Sequence, residues 1–204
     1  MKLPPWVPTP EEGLRLLSPV TPHLQPALDN ALFKAATYNE SESLNCDGTT
    51  LLTLLRAHAK SHLVRLNLAG VEFKDWALSG IEFRVNDAIF RCWKGTEHEL
   101  PRPGESEGRK RFLNQQYHLP FDGDNLPRIR NFVVLYVFEP GNQLALWLVC
   151  PKRYIEEEKI PEAWWWAKIE DPTLTMNIPT NVGAPPQDDL SIQRKKRTKN
   201  DTQD

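Results

Sequence analysis

Apolar positions along the chain change period once, near residue 67, and that change separates a helical half from a strand-rich half. The first helix is expected at Thr9-Pro10-Glu11-Glu12. Thr9 accepts an orphan backbone N–H, Pro10 suits the first helical position, and the two acids face the positive end of the dipole. Leu14, Leu16 and Leu17 follow, and Pro19 stops the run. A second helix is predicted from near Pro26 to about Tyr38, with Leu28, Ala31, Leu32 and Ala35 on one face. Polar residues 39–45 read as a loop. Asp47 or Thr49 then caps a third helix with Leu51, Leu52, Leu55, Ala59, His62 and Leu63 on its buried face.

Beyond this point the pattern becomes strand-like. Residues 81–85 and 88–93 flank Asn86-Asp87, a tight-turn pair, and predict a β-hairpin. Residues 96–108 read as an exposed loop, 109–117 as a short helix and 122–127 as another loop. The clearest element is the pair 132–138 (FVVLYVF) and 144–150 (LALWLVC), joined by Glu139-Pro140-Gly141-Asn142. Continuous apolar runs of this length predict a hairpin inside a sheet covered on both faces. Residues 153–159 suggest a short helix and 164–169 a final strand. The fold class is therefore α+β, with an N-terminal helical layer packed on a mixed or antiparallel sheet. The expected organisation is an extended Pro-rich arm at 1–10 and one domain at 11–178, helical over 11–66 and strand-rich over 67–178. A disordered tail follows at 179–204.

One internal periodicity competes with this division. Leu63, Leu68, Phe73, Leu78 and Phe83 recur every fifth position, with Leu66, Val71, Trp76 and Ile81 two residues earlier than the last four of them. The stretch LNLAG-VEFKD-WALSG-IEFRV resembles pentapeptide-repeat proteins over residues 61–84. That resemblance implies a coil of square β-helix and a rigid binding surface. The alternative is a helix end followed by short strands whose leucines fall in step.

Composition narrows the function classes. The 204 residues carry a formal net charge of −2, and a chain this long buries a core without a disulfide or metal staple. The 18 prolines against 10 glycines exclude a long helical bundle, and seven of those prolines fall in residues 1–26, where they punctuate the chain. The opening MKLPPWVPTPEEG has no apolar run of the secretory kind, and no stretch approaches the ~18 apolar residues of a membrane span. Cys46, Cys92 and Cys150 are scattered, as free thiols in a reducing compartment are, so a cytoplasmic location is expected. Near the end, Arg194, Lys195, Lys196, Arg197 and Lys199 form a basic run, diluted by Asp188, Asp189, Asp201 and Asp204.

Candidate chemistry is sparse. His58 and His62 have helical metal-ligand spacing, but Ala59 stands where a zinc protease needs its glutamate. Glu72-Phe73-Lys74 has the Glu-x-Lys form of metal-dependent nucleases, in which both side chains share one strand face. Arg56…His62 and Arg111…His118 both fit a loose Arg-x(4–6)-His ribonuclease pattern. No glycine-rich phosphate loop and no GxSxG nucleophile motif is present, so no catalytic residue, metal or cofactor is expected. Two surfaces remain. Arg109, Lys110, Arg111, Gln115 and Gln116, extended by Arg128 and Arg130, have the cations and amides that contact phosphates and base edges. Trp164, Trp165 and Trp166 alternate faces on a strand, so at least one indole is expected outside the core as a partner contact. The expected function is a non-enzymatic binding or regulatory protein that contacts nucleic acid or a nucleic-acid-bound partner through the basic helix. The alternatives are a nuclease-like hydrolase built on Glu72 and Lys74, and a protein-interaction module using the Trp cluster.

Overall fold

The computed structural model of the chain describes residues 3–41, 48–74, 80–115, 130–139 and 143–170. These residues form α1 (Pro10–Leu17), α2 (Thr21–Ser41), α3 (Gly48–Arg65), β1 (Val71–Phe73), β2 (Ile81–Val85), β3 (Ala88–Lys94), α4 (Glu107–Leu113), β4 (Asn131–Glu139), β5 (Gln143–Ile155) and β6 (Ile160–Lys168). The strands make one sheet in the order of the chain, antiparallel at every neighbouring pair except β3–β4, which is parallel. The class is α+β. Helices α1 to α3 cover one face of the sheet, and α4, carried on the crossover that a parallel pair requires, lies on the other.

The first helix starts as its sequence dictates. Thr9 Oγ1 accepts the Glu12 N–H at 3.3 Å and Glu12 Oε2 accepts the Thr9 N–H at 2.9 Å, a complete capping box with Pro10 just inside it. The arm before it is anchored by Val7, which is buried, while Trp6 is 37% exposed. Trp165 Nε1 donates to the Pro8 carbonyl at 2.7 Å and ties the arm to β6. A Cβ placed on Gly13 would lie 2.7 Å from Trp165 Cη2 and 3.2 Å from Leu148 Cδ2, so α1 sits against the sheet at the one place where it has no side chain. Gly13→Ala gains about 1 kcal/mol of helix propensity but overpacks the contact by about 1–3 kcal/mol. The expected outcome is a lower Tm, with the penalty removed in a Trp165→Leu background. A higher Tm in Gly13→Ala alone contradicts this packing.

Three local expectations are corrected. Helix α2 opens at Thr21 rather than Pro26, with the Val20 carbonyl accepting from His23 and Leu24 N–H. Pro26 sits exposed in its second turn, where the N–H it lacks would have reached only Pro22, close to the helix start. On α3 the buried residues are Leu55, Ala59 and Leu63, while His62 is exposed. Residues 153–159 are not a helix: β5 runs through Pro151 to Ile155 and turns directly into β6. Pro151 cannot donate to the ladder, and the register shifts on both sides of it, leaving Lys152 and Trp164 without Cα partners.

The period-five pattern is not a coil of β-helix. Val71 and Phe73 pair antiparallel with Val85 and Phe83, so the recurring side chains face one another across a hairpin. Trp76 and Leu78 lie outside the described residues. What the recurrence marks is one end of an aromatic row across the sheet. Phe73, Phe83, Phe90 and Phe132 follow in register on β1 to β4, with successive centroids 5.6, 5.2 and 5.2 Å apart. Cys150, Trp165's cross-strand partner on β5, is small enough that Phe132 and the Trp165 ring approach to 6.1 Å. Burial pushes the thiols of Cys92 and Cys150 well above the usual range, to about 12 for Cys92, so both act as small core residues. Cys46 and the expected disordered segment 179–204 fall outside the described residues. Among those described, no helix is long and apolar enough to cross a membrane.

Candidate partner-binding surface

The sheet face opposite the helical layer carries a second apolar cluster, Leu100, Phe112, Leu113, Val133, Leu135 and Val149. Among the described residues its cover is partial. Phe112 and Leu113 of α4 and Leu100 of the crossover are buried on it, while Trp93, Val137, Trp147, Ala163 and Trp166 stay half-buried at its margin.

Two of the polar groups that made α4 look like a nucleic-acid reader, Lys110 and Gln115, hold it on this face instead. Gln115 is buried. Its Nε2 donates to the Asn131 carbonyl at 2.6 Å and the Pro151 carbonyl at 3.1 Å, and its Oε1 accepts the Asn131 N–H at 3.2 Å. Asn131 Nδ2 in turn donates to the Phe112 carbonyl, and Asn114 Oδ1 accepts the Tyr154 N–H at 2.7 Å. Lys110 Nζ lies 2.8 Å from Glu156 and 3.0 Å from Glu107, and those hydrogen bonds hold its ammonium above the usual lysine range. Arg130 pairs with Asp87 at 2.7 Å. Arg109 and Arg111 are exposed on the helix, and Gln116 and Arg128 lie outside the described residues. Among the described residues of the expected basic surface, the exposed cations of α4 are Arg109 and Arg111, and Lys110 is matched by Glu107 and Glu156.

Behind α4, Arg91 of β3 reaches the buried Glu82 carboxylate of β2, donates to the Gly108 carbonyl at 3.2 Å and stacks 4.2 Å from the Phe112 ring centre. Glu72 and Lys74 do share this sheet side, as alternation requires, but Lys74 is directed to Glu82 at 3.5 Å. Among the described residues no group of three or more His, Cys, Asp or Glu is placed to hold a metal ion.

The three consecutive tryptophans divide between the two faces. Trp165 enters the helical core, and Trp164 joins it because the bulge removes one step of alternation. Lys152, the bulged residue of β5, pairs with Glu162 at 3.0 Å and places its ammonium 5.2 Å from the Trp164 ring centre. Trp166 faces the other way, toward Trp147 of β5 and a tight turn at 96–99. Gly95 lets that turn lie directly on the sheet. Its N–H bonds the Tyr136 carbonyl at 3.2 Å, and a Cβ there would sit 2.5 Å from Leu135 Cδ1. His98, in the left-handed backbone region at φ +62°, presents its imidazole edge-on to both indoles, 5.3 Å from Trp147 and 5.9 Å from Trp166. The His98 side chain is 66% exposed, and the flanking Glu97 and Glu99 are exposed as well.

Among the described residues the result is a shallow platform of two half-buried indoles and an imidazole, with the exposed carboxylates of Glu97 and Glu99 flanking His98 and the cation Lys168 cross-strand from Trp147. Trp166 lay among the residues expected at a contact. Trp147 and His98 did not, since Trp147 sits within an apolar run that reads as buried on both sides. Its odd-numbered place beside Val149, out of phase with Leu146 and Leu148, was the available signal. Comparison of the chain with protein-family models, with curated proteins and with solved structures finds no match.

Proposed function

We propose that the protein is a non-enzymatic binding module whose contact surface is the Trp147–His98–Trp166 platform, and that its partner is a protein segment carrying cationic side chains. The observation that carries this reading is the pair of half-buried indoles held by one imidazole on a sheet face that the described residues cover incompletely. Indole faces attract lysine and arginine, and Glu97 and Glu99 add complementary charge at the rim. Tryptophan in such a setting is the residue type that dominates binding energy.

A second reading, contact with nucleic acid through α4, is supported by exposed Arg109 and Arg111. Titration of the full chain with a nona-arginine peptide and with a single-stranded 20-nucleotide DNA, at 0.1 M salt, separates the two. Peptide affinity is expected to fall at least tenfold in Trp166→Ala and in the pair Glu97→Gln, Glu99→Gln, and to change less than threefold in Arg109→Ala, Arg111→Ala. DNA binding that disappears in the arginine variant, with no measurable peptide binding, replaces the first reading with the second.

A further inference from the structure

The chain carries its own segment of the chemistry the platform selects. We infer that the basic run 194–199 (RKKRTK) docks in cis on the Trp147–His98–Trp166 platform and occupies it as an internal competitor of the partner. The inference rests on the platform reading, which it extends to how the surface is regulated.

Charge and ring chemistry select the surface. The run offers Arg194, Lys195, Lys196, Arg197 and Lys199, while exposed Glu97 and Glu99 flank the His98 that contacts both indoles. Around α4, exposed Arg109 and Arg111 stand among the carboxylates of Glu105, Glu107 and Glu156, so among the described residues it is the platform that joins carboxylates to half-buried indoles. Among the described residues Lys168 is the cation that strand register places beside the platform, and Glu170 follows it two residues later.

Position agrees with charge. Lys168, the last residue of β6, is the Cα partner of Trp147, and Ile169 is fixed by its N–H bond to the Leu146 carbonyl at 2.9 Å. The chain therefore leaves the sheet at the margin of the platform. Between Glu170 and Arg194 stand 23 residues, which span at most about 80 Å when fully extended, so the run reaches every part of this face. A tether of this kind gives an effective concentration on the order of millimolar, so a contact too weak to form between separate molecules still closes within one. Tail and partner then compete for the same indoles, and partner affinity is set by how readily the tail releases.

Zero-length carbodiimide cross-linking of the full chain at micromolar concentration, as an equal mixture of ¹⁵N-labelled and unlabelled protein, tests the contact. Cross-links are expected from Glu97 or Glu99 to Lys195, Lys196 or Lys199, joining peptides of one isotope only and falling at least fivefold at 0.5 M NaCl. The Lys110–Glu156 pair, at 2.8 Å, supplies the positive control in the same sample. Absence of the tail cross-links while the control forms overturns the inference, and mixed-isotope cross-links overturn it in favour of a tail supplied by a second copy. As a second measurement, the five cations are changed to glutamate in the full chain. The indole N–H resonances of Trp147 and Trp166 are expected to shift and that of Trp165 to stay in place. Nona-arginine affinity is expected to rise at least threefold. Unmoved Trp147 and Trp166 resonances reject the docking. Trp166-dependent peptide binding that survives such a result leaves the platform reading standing, whereas its loss removes both.

Discussion

Phe132→Ala is expected to destabilise the protein by about 3–5 kcal/mol, the range for truncating a fully buried aromatic residue. For a chain of this size that corresponds to a Tm lower by about 6–20 °C. Phe132 has no solvent exposure, and its ring meets Phe90 of β3 at 5.2 Å and Trp165 of β6 at 6.1 Å. The hole left by alanine therefore lies at the centre of the aromatic row, under the helical layer, where neighbours on both sides are too confined to refill it. Phe73, partly buried on the short edge strand β1, is the comparison. Phe73→Ala is expected to cost less than about 2 kcal/mol, since much of its area is not withdrawn from water. Urea titrations of both variants check this ordering, and equal costs contradict the central place given to Phe132.

Gln115→Ala is expected to cost about 2–4 kcal/mol although it removes no charge and little apolar area. The side chain donates to two carbonyls and accepts one N–H, all from the β4 and β5 backbone at or beside the points where those strands leave the regular ladder. Truncation leaves those groups buried and unpaired, and unpaired buried polar groups carry their full desolvation cost. Gln115→Glu sharpens the test. At neutral pH a carboxylate keeps the shape and the acceptor but loses both donors, so this variant is expected to be at least as destabilised as alanine. Arg111→Ala, exposed four residues earlier, is expected within about 0.5 kcal/mol of the parent. If Gln115→Ala behaves like Arg111→Ala, α4 is not clamped by its glutamine.

The sequence was legible where local chemistry decides structure. Thr9, Pro10 and Glu12 announce a helix start that uses only neighbouring atoms, and the runs around Asn86-Asp87 and Pro140-Gly141 announce hairpins by turn chemistry and apolar alternation. Legibility ended where distant parts of the chain meet. Pro151 reads as a strand terminator, yet paired bulges at Lys152 and Trp164 carry the strand past it. Gln115 reads as a surface amide, and only the arrival of Asn131 and Pro151 beneath it makes it a clamp. His98, in a polar stretch between two glutamates, carries no mark of its contact with Trp147 and Trp166, which are 49 and 68 residues away. The basic helix was recognisable as a helix, but the use of its polar side chains depended on partners that no local pattern names.

The parallel pairing of β3 and β4 has a consequence for the order of assembly. On each side of it the sheet is a three-stranded meander, and each meander closes through connections between successive strands. Joining them requires residues 95–130 to be spanned first, so chain-closure entropy makes this seam the slowest pairing to be reached and gives the protein two local ribbons that must find one another. Phe90 and Phe132 meet across that seam, and α4 closes over it from the opposite face through Arg91, Phe112 and Asn131. The crossover that positions the platform's turn is thus also the latch between two halves, and a ligand seated on that turn bears on whether the halves stay together.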